Sequence, residues 1–254
     1  MNKLIEIKKL TYYDLFNNFN ITLPKDNLIY LAGPNNCGKT TLVRILNKRL
    51  KSKFIININE EELDQSNLID YYKEIECLIP NEISINNTLE EKILKYNTKV
   101  KVDKLIKDLK LTKYKKTNIN NLDIKNKIKL QLLLSLLKKP TLLVIDNIMS
   151  YFDKDEVEEL NNILKEYIKT YKVTILITTI NLNNTINSDY LIIMIDNNII
   201  LEGKPLEVLD KDNIINKVGL DLPFMIDLSS KLRDYNLIEK IEIDKERLID
   251  TLWK

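Results

Sequence analysis

Four glycines are all that this chain of 254 residues contains, and two of them, Gly33 and Gly38, fall within residues 33–41. That stretch, GPNNCGKTT, fits G-x-x-x-x-G-K-[ST] at every fixed position, with Lys39 and Thr40 completing the pattern. The apolar run 27–32 before it predicts a buried strand, and Leu42, Ile45, Leu46 and Leu50 after it have helical spacing. Strand, loop and helix in this order is the setting in which such a loop cradles phosphate groups. The backbone curls round the anion through Pro34, Asn35, Asn36 and Cys37, each but Pro34 offering an N–H, and the N-terminus of the helix, with Thr41 in its first turn, adds positive potential. Lys39 reaches the terminal phosphates and Thr40 holds Mg²⁺, so a nucleoside triphosphate is the expected occupant. A glycine-poor chain does not place half of its glycines in a chance turn.

Composition narrows the rest by exclusion. Hydrophobic residues make up 44% and charged residues 30%, as expected for a globular α/β chain able to bury a large core. The net charge of +2 comes from interspersed Lys and Glu without a basic block, so nothing argues for nucleic acid as a partner. The apolar runs 130–137 and 190–195 fall far short of a membrane span, and no secretory leader is expected ahead of Lys3. With no histidine and only Cys37 and Cys77, a Cys/His metal site is excluded and a reducing cytosol is the expected setting. Heavy use of Asn, Ile and Lys resembles codon bias in an AT-rich genome and carries no function.

Along the chain, alternation at 4–7 and 19–23 predicts two strands joined through Tyr12, Tyr13 and Asp14, forming a small sheet beside the loop. Tyr13 or Tyr12 can stack on an adenine ring or lie half-buried on that sheet; the sequence favours neither. Further strands are expected at 54–58 and 75–79. Between Pro80 and Pro140 the pattern turns helical. Thr88 and Glu91 form a capping box opening a helix to about Tyr96, and helices follow at 102–111 and 124–137 after a polar loop at 113–121. Residues 140–146 return to a strand ending in Asp146, a carboxylate placed to hold Mg²⁺ opposite Thr40. A helix at 153–171, a strand at 173–177 and a hairpin from 190–196 to 199–201 complete a mostly parallel sheet. The expected division is a nucleotide-binding core at 1–79 and 140–210, a helical insertion at 80–139 and a C-terminal extension at 211–254.

This order resembles an ABC-type ATPase, with Asp153 where that family places a dimer-contacting aspartate. The tail segments LEGKPLEV at 201–208, GLDLPFMIDL at 219–228 and DKERLIDTLW at 244–253 resemble the ATPase subunits of energy-coupling factor transporters, most closely the first of the two A subunits. The resemblance implies a P-loop ABC core with a small antiparallel N-terminal sheet, and Mg-ATP held by residues 33–41, Asp146 and Tyr13. It also implies a second ABC ATPase subunit, preferably in a heterodimer, and a transmembrane coupling subunit with a substrate-binding membrane subunit. Such assemblies import vitamins or metal ions, with the ATPases peripheral on the inner face of the cell membrane.

Departures from that family's pattern all concern hydrolysis. Asn147 stands where the family has a glutamate that polarises the attacking water, and Thr179 aligns with its switch histidine. The glutamine expected near Pro80 is missing, and Leu122, Asp123, Ile124, Lys125 and Asn126 replace the signature Leu-Ser-Gly-Gly-Gln. Loss of a positioned base alone costs about 10²- to 10⁴-fold. Asp123 is equally a plain helix N-cap, and Lys125 can offset its charge in part. Cys37, where serine is usual, lies beside Lys39 at a helix N-terminus, a setting for a reactive thiol, although isosteric replacement of serine explains it as well. The sequence thus predicts ATP binding with little or no hydrolysis at this chain's own site. The alternative is an active ATPase that works with a consensus partner.

Overall fold

The structure, a computed structural model, describes residues 4–80, 88–93 and 100–253. Strands β1 (Leu4–Tyr12) and β2 (Phe16–Pro24) form a hairpin, and β3 (Leu28–Ala32) then runs into the glycine loop and helix α1 (Lys39–Leu46). The next elements are β4 (Lys53–Ile58), the short β5 (Glu61–Glu62), α2 (Leu68–Glu74) and β6 (Ile75–Leu78). Helices α3 (Leu89–Ile93), α4 (Val102–Asp108) and α5 (Ile124–Lys138) precede β7 (Leu142–Ile145), α6 (Lys154–Tyr171) and β8 (Thr174–Thr179). The hairpin β9 (Tyr190–Ile195) and β10 (Asn198–Gly203) leads to α7 (Pro205–Leu209), α8 (Asp212–Lys217), α9 (Phe224–Asp234) and α10 (Lys245–Leu252).

These strands make two sheets. The larger runs β10-β9-β3-β8-β7-β6 and is parallel except for the edge strand β10. The smaller is antiparallel, in the order β2-β1-β4-β5. Three of the larger sheet's six strands, β3, β7 and β8, are buried along their whole length, which is why they appear in the sequence as apolar runs without alternation. Their faces divide cleanly all the same. Leu28, Tyr30 and Ala32 of β3 join the core beneath α5 and α6, while Ile29 and Leu31 join the core beneath α1 and the smaller sheet.

Several boundaries follow from side-chain chemistry. The box at α3 is reciprocal: Glu91 N–H donates to Thr88 Oγ1 at 3.3 Å and Thr88 N–H to Glu91 Oε2 at 3.1 Å. Tyr96, the expected end of that helix, lies outside the described residues. Asp153 and Glu156 form a second box at the start of α6. Helix α5 buries Ile128 and five leucines on nearly every side, as a helix enclosed by its surroundings does.

The strand expected at 54–58 is present as β4 and pairs with β1 in the antiparallel sheet, a partner set by tertiary contacts that a local pattern does not carry. Helix α2 was not expected; Asn67 caps it through Ile69 and Asp70 N–H, and Tyr71 anchors it by donating its hydroxyl to Leu46 O at 2.6 Å. The helices at α1 and α4 stop several residues short of the periodic signal, at Leu46 and Asp108. Among the described residues, no helix is long and apolar enough to cross a membrane.

Candidate functional site

The glycine loop sits where β3 leaves the centre of the larger sheet. Its entry is fixed by Gly33 N–H, which donates to Thr179 O at the end of β8 at 3.3 Å. A Cβ at Gly33 would stand 2.1 Å from Met194 O of β9 and 2.7 Å from Cys37 Sγ, so no side chain fits there. Gly38 has φ of 98°, the left-handed region that disfavours side chains, and opens α1 without any side-chain cap. The first N–H groups of α1 therefore remain available to an anion.

Lys39 is 7% exposed and bends back over the loop. Its ammonium donates to Gly33 O at 2.8 Å and Pro34 O at 2.7 Å, with Cys37 Sγ at 3.4 Å. Asn35, Asn36, Thr40 and Thr41 line the adjoining cavity of about 400 Å³ together with Asp146. Thr40 Oγ1 donates to Asp146 Oδ1 at 3.2 Å across the 106 residues that separate them in sequence. Hard oxygen donors at this spacing, one hydroxyl and one carboxylate, suit Mg²⁺ completed by phosphate and water.

The carboxylate is held by a residue that the sequence did not single out. Thr178 Oγ1 donates to Asp146 Oδ1 at 2.7 Å and accepts the Asn147 N–H at 3.0 Å. Asn147 takes φ of 48°, a left-handed conformation that asparagine adopts at small cost. It lines the cavity beside Asp146, so an amide stands next to the carboxylate. Arg44, one helical turn beyond Thr40 on α1, also lines this cavity and was missed; the i, i+4 spacing from Thr40 was the available signal.

Thr179 is a correction. Its side chain is 1% exposed, and Oγ1 accepts the Asn181 N–H at 3.1 Å and an Asn184 amide N–H at 3.4 Å. The hydroxyl is spent inside the turn after β8, and the next residue, Ile180, lines the phosphate cavity instead. Tyr13 is 84% exposed at the tip of the β1–β2 hairpin, edge-on to Tyr12 with ring centroids 4.8 Å apart. Its ring is available for stacking, although it does not line the cavity as Leu15 does. Cys37 is 3% exposed and belongs to the core beneath α1, so its packing matches a replacement of serine and not an accessible thiol.

The polar side chains at the signature position bond within the chain, while Ile124 is 47% exposed. Asp123 caps α5, accepting the Asn126 N–H at 2.8 Å, and the Asn126 side chain donates in turn to Asp123 Oδ2 at 2.5 Å and to Tyr114 Oη at 3.1 Å. The Asn126 N–H holds the Asp123 carboxyl below its ordinary range. Lys125 does not face Asp123: its ammonium donates to Glu156 Oε2 at 2.6 Å, which holds Lys125 above its ordinary range. Residues 81–87, which follow Pro80, lie outside the described residues.

Comparison with known proteins agrees with this geometry. The family model of the ABC transporter matches residues 16–150, more than half of the chain. The energy-coupling factor transporter ATP-binding protein EcfA of Pediococcus pentosaceus is 22% identical over 96% of this chain and 94% of its own length. EcfA1 of Mesomycoplasma hyopneumoniae is 26% identical over 93% of this chain and 90% of its own. In fold, the chain matches cbiO1 from Clostridium perfringens, part of the ABC transporter complex cbiONQ, with a TM-score of 0.71 at 22% identity over 88% of this chain and 97% of that one. With the phosphate loop, its carboxylate partner and the two-sheet architecture in place, the chain belongs to the ABC transporter family and is similar to the ATPase subunits of energy-coupling factor transporters.

Proposed function

We propose that this chain is an ATP-binding subunit of an energy-coupling factor transporter for micronutrient uptake, and that it holds Mg-ATP with little or no hydrolysis at its own site. The observation that carries the reading is the pairing of an assembled binding set with a neutral amide where a base is needed. Gly38, Lys39, Thr40 and Asp146 line one cavity, Gly33 forms the loop's entry, and the residue following the carboxylate is Asn147.

Mg-ATP, when bound, supplies a polarised terminal phosphoryl group. Lys39 neutralises charge on the terminal phosphates, and Thr40 and Asp146 hold the cation. Asn147 can orient a water through its amide but takes no proton from it. The micronutrient is a vitamin or a metal ion, selected by a separate membrane-embedded subunit. The chain pairs with a second ATPase subunit and docks on a transmembrane coupling subunit at the inner face of the membrane. The likeness to EcfA and EcfA1 over nearly the full chain supports this assembly.

The test is Mg-ATP turnover of the complex purified with its partner ATPase and membrane subunit, with and without Asn147→Glu in this chain. The expected result is a change of less than about tenfold, because a base alone does not rebuild the site. A gain of about 10²-fold or more would show an ATPase lacking only its base, and the non-hydrolytic reading would fall.

A further inference from the structure

Thr178 is fully buried near the end of β8, on a face that is otherwise apolar at its neighbouring position. Alternate residues of this strand meet opposite cores: Ile175 and Ile177 join the one beneath α5 and α6, and Leu176 joins the one beneath α1. Thr178 shares the face of Leu176, where valine would fill the same space without burying a polar group. The hydroxyl is nevertheless used twice. It donates to Asp146 Oδ1 at 2.7 Å and accepts the Asn147 N–H at 3.0 Å, so one oxygen fixes two consecutive residues that line the phosphate cavity.

Among the described residues, the Asp146 carboxylate has two side-chain donors, Thr40 and Thr178, and both meet Oδ1. Their duties differ. Thr40 is itself the hydroxyl assigned to Mg²⁺, so its position answers to the cation as well as to Asp146. Thr178 is held in the sheet, where β3 pairs with it at Leu31, and its hydroxyl is committed to Asp146 and Asn147. It therefore sets the torsion of the carboxylate and leaves Oδ2 for a cation or its water. Partners that orient a metal-holding carboxylate in this way govern cation affinity by about 10- to 100-fold.

We propose that Thr178 is a positioning residue for the cation: it holds Asp146 in the orientation that makes nucleotide binding at this site depend on Mg²⁺. The proposal rests on the reading that residues 33–41 and Asp146 hold Mg-ATP. Thr178 acts through Asp146. Thr174, four residues earlier on the same face and equally buried, supplies the contrast. Its hydroxyl accepts the Asp26 N–H at 3.0 Å, at the opposite end of β8 from the phosphate cavity.

The test is equilibrium binding of a fluorescent ATP analogue to the full chain, in excess Mg²⁺ and in EDTA, with Tm measured alongside. The wild-type chain should bind more tightly with Mg²⁺, and Thr178→Val should lose about tenfold or more of that preference while affinity in EDTA stays nearly unchanged. Thr178→Ser, which keeps the hydroxyl, should keep the preference. Thr174→Val should lower Tm and keep it as well. If Thr178→Val does not fold, Thr178→Cys places a weaker donor at the same point and should lose part of the preference. A preference unchanged in the folded Val or Cys variant, or lost as fully in Thr178→Ser or Thr174→Val, would overturn the assignment, and so would a wild-type chain that binds equally with and without Mg²⁺. Failure of the wild-type chain to bind the analogue under either condition would overturn the binding reading itself, and this one with it.

Discussion

Helices α1 and α5, each of which the resemblance to ABC ATPases implies should begin beside a phosphate, begin differently. Helix α1 starts at Gly38 with no side-chain cap, and its first N–H groups open onto a cavity lined by Lys39 and Thr40. Helix α5 starts at Asp123, whose carboxylate already occupies the N-terminus and is itself bonded by Asn126. The same backbone dipole is exposed in one place and neutralised by the chain's own anion in the other. One end is built to receive a phosphate; the other is finished as a stable helix start. Lys125 sharpens the contrast, because its charge is committed to Glu156 on α6 and not offered outward.

Three measurements would break or sharpen this comparison. The largest effect belongs to the open end: Lys39→Ala should weaken Mg-ATP affinity by about 10- to 100-fold, whereas Lys125→Ala should leave it unchanged in the isolated chain. Equal losses in the two variants, by nucleotide titration, would remove the distinction. At the closed end, Asp123→Ala should cost about 1 kcal/mol and lower Tm by about 2–4 °C, with nucleotide affinity intact. Because the folded Asp123 carboxyl titrates below its ordinary value, its stabilisation is complete above about pH 4 and fades as pH falls through the lower folded value. The Tm difference between wild type and Asp123→Ala should therefore narrow as pH falls below about 4, and a constant difference would refute the capping role. The smallest effect concerns Cys37, buried in the core beneath α1. Its alkylation by a maleimide should be slow with or without Mg-ATP; fast alkylation blocked by nucleotide would restore the reactive-thiol reading.

Much of this contrast was legible before any coordinates. The loop, its flanking strand and helix, and Asp146 form short-range patterns whose chemistry dictates their spacing. Asp123 as an N-cap is likewise a local signal. The misplacement of Thr179 has a physical cause. Strand β8 is buried on both faces, so no alternation marks which residue turns toward the ligand, and a shift of one position exchanges an internal hydroxyl for an exposed isoleucine. Thr178 escaped for the same reason: a threonine in an apolar strand gives no sign that a carboxylate 32 residues earlier in the sequence accepts its hydroxyl hydrogen. The pairing of Lys125 with Glu156 joins two helices across 31 residues and has no sequence signature. Helix α2 is short, with Leu68 and Ile69 exposed, so it lacks the apolar face by which longer helices announce themselves.

The close seat of Gly33 on Met194 has a consequence for how such a chain can drift. Among the described residues, fifteen non-glycine positions have positive φ, most of them filled by Lys, Asn or Asp. Each tolerates an unfavourable backbone at a modest, local cost. Gly33 is not among the positive-φ glycines, yet a Cβ there would meet a neighbouring strand's carbonyl oxygen at 2.1 Å. A composition that has shed glycine nearly everywhere can replace it where only conformation is at stake, because a turn can bear strain. It cannot do so where two backbones occupy adjoining space. Gly33 of the phosphate loop is thus held by a steric requirement, quite apart from whether any nucleotide is ever hydrolysed there.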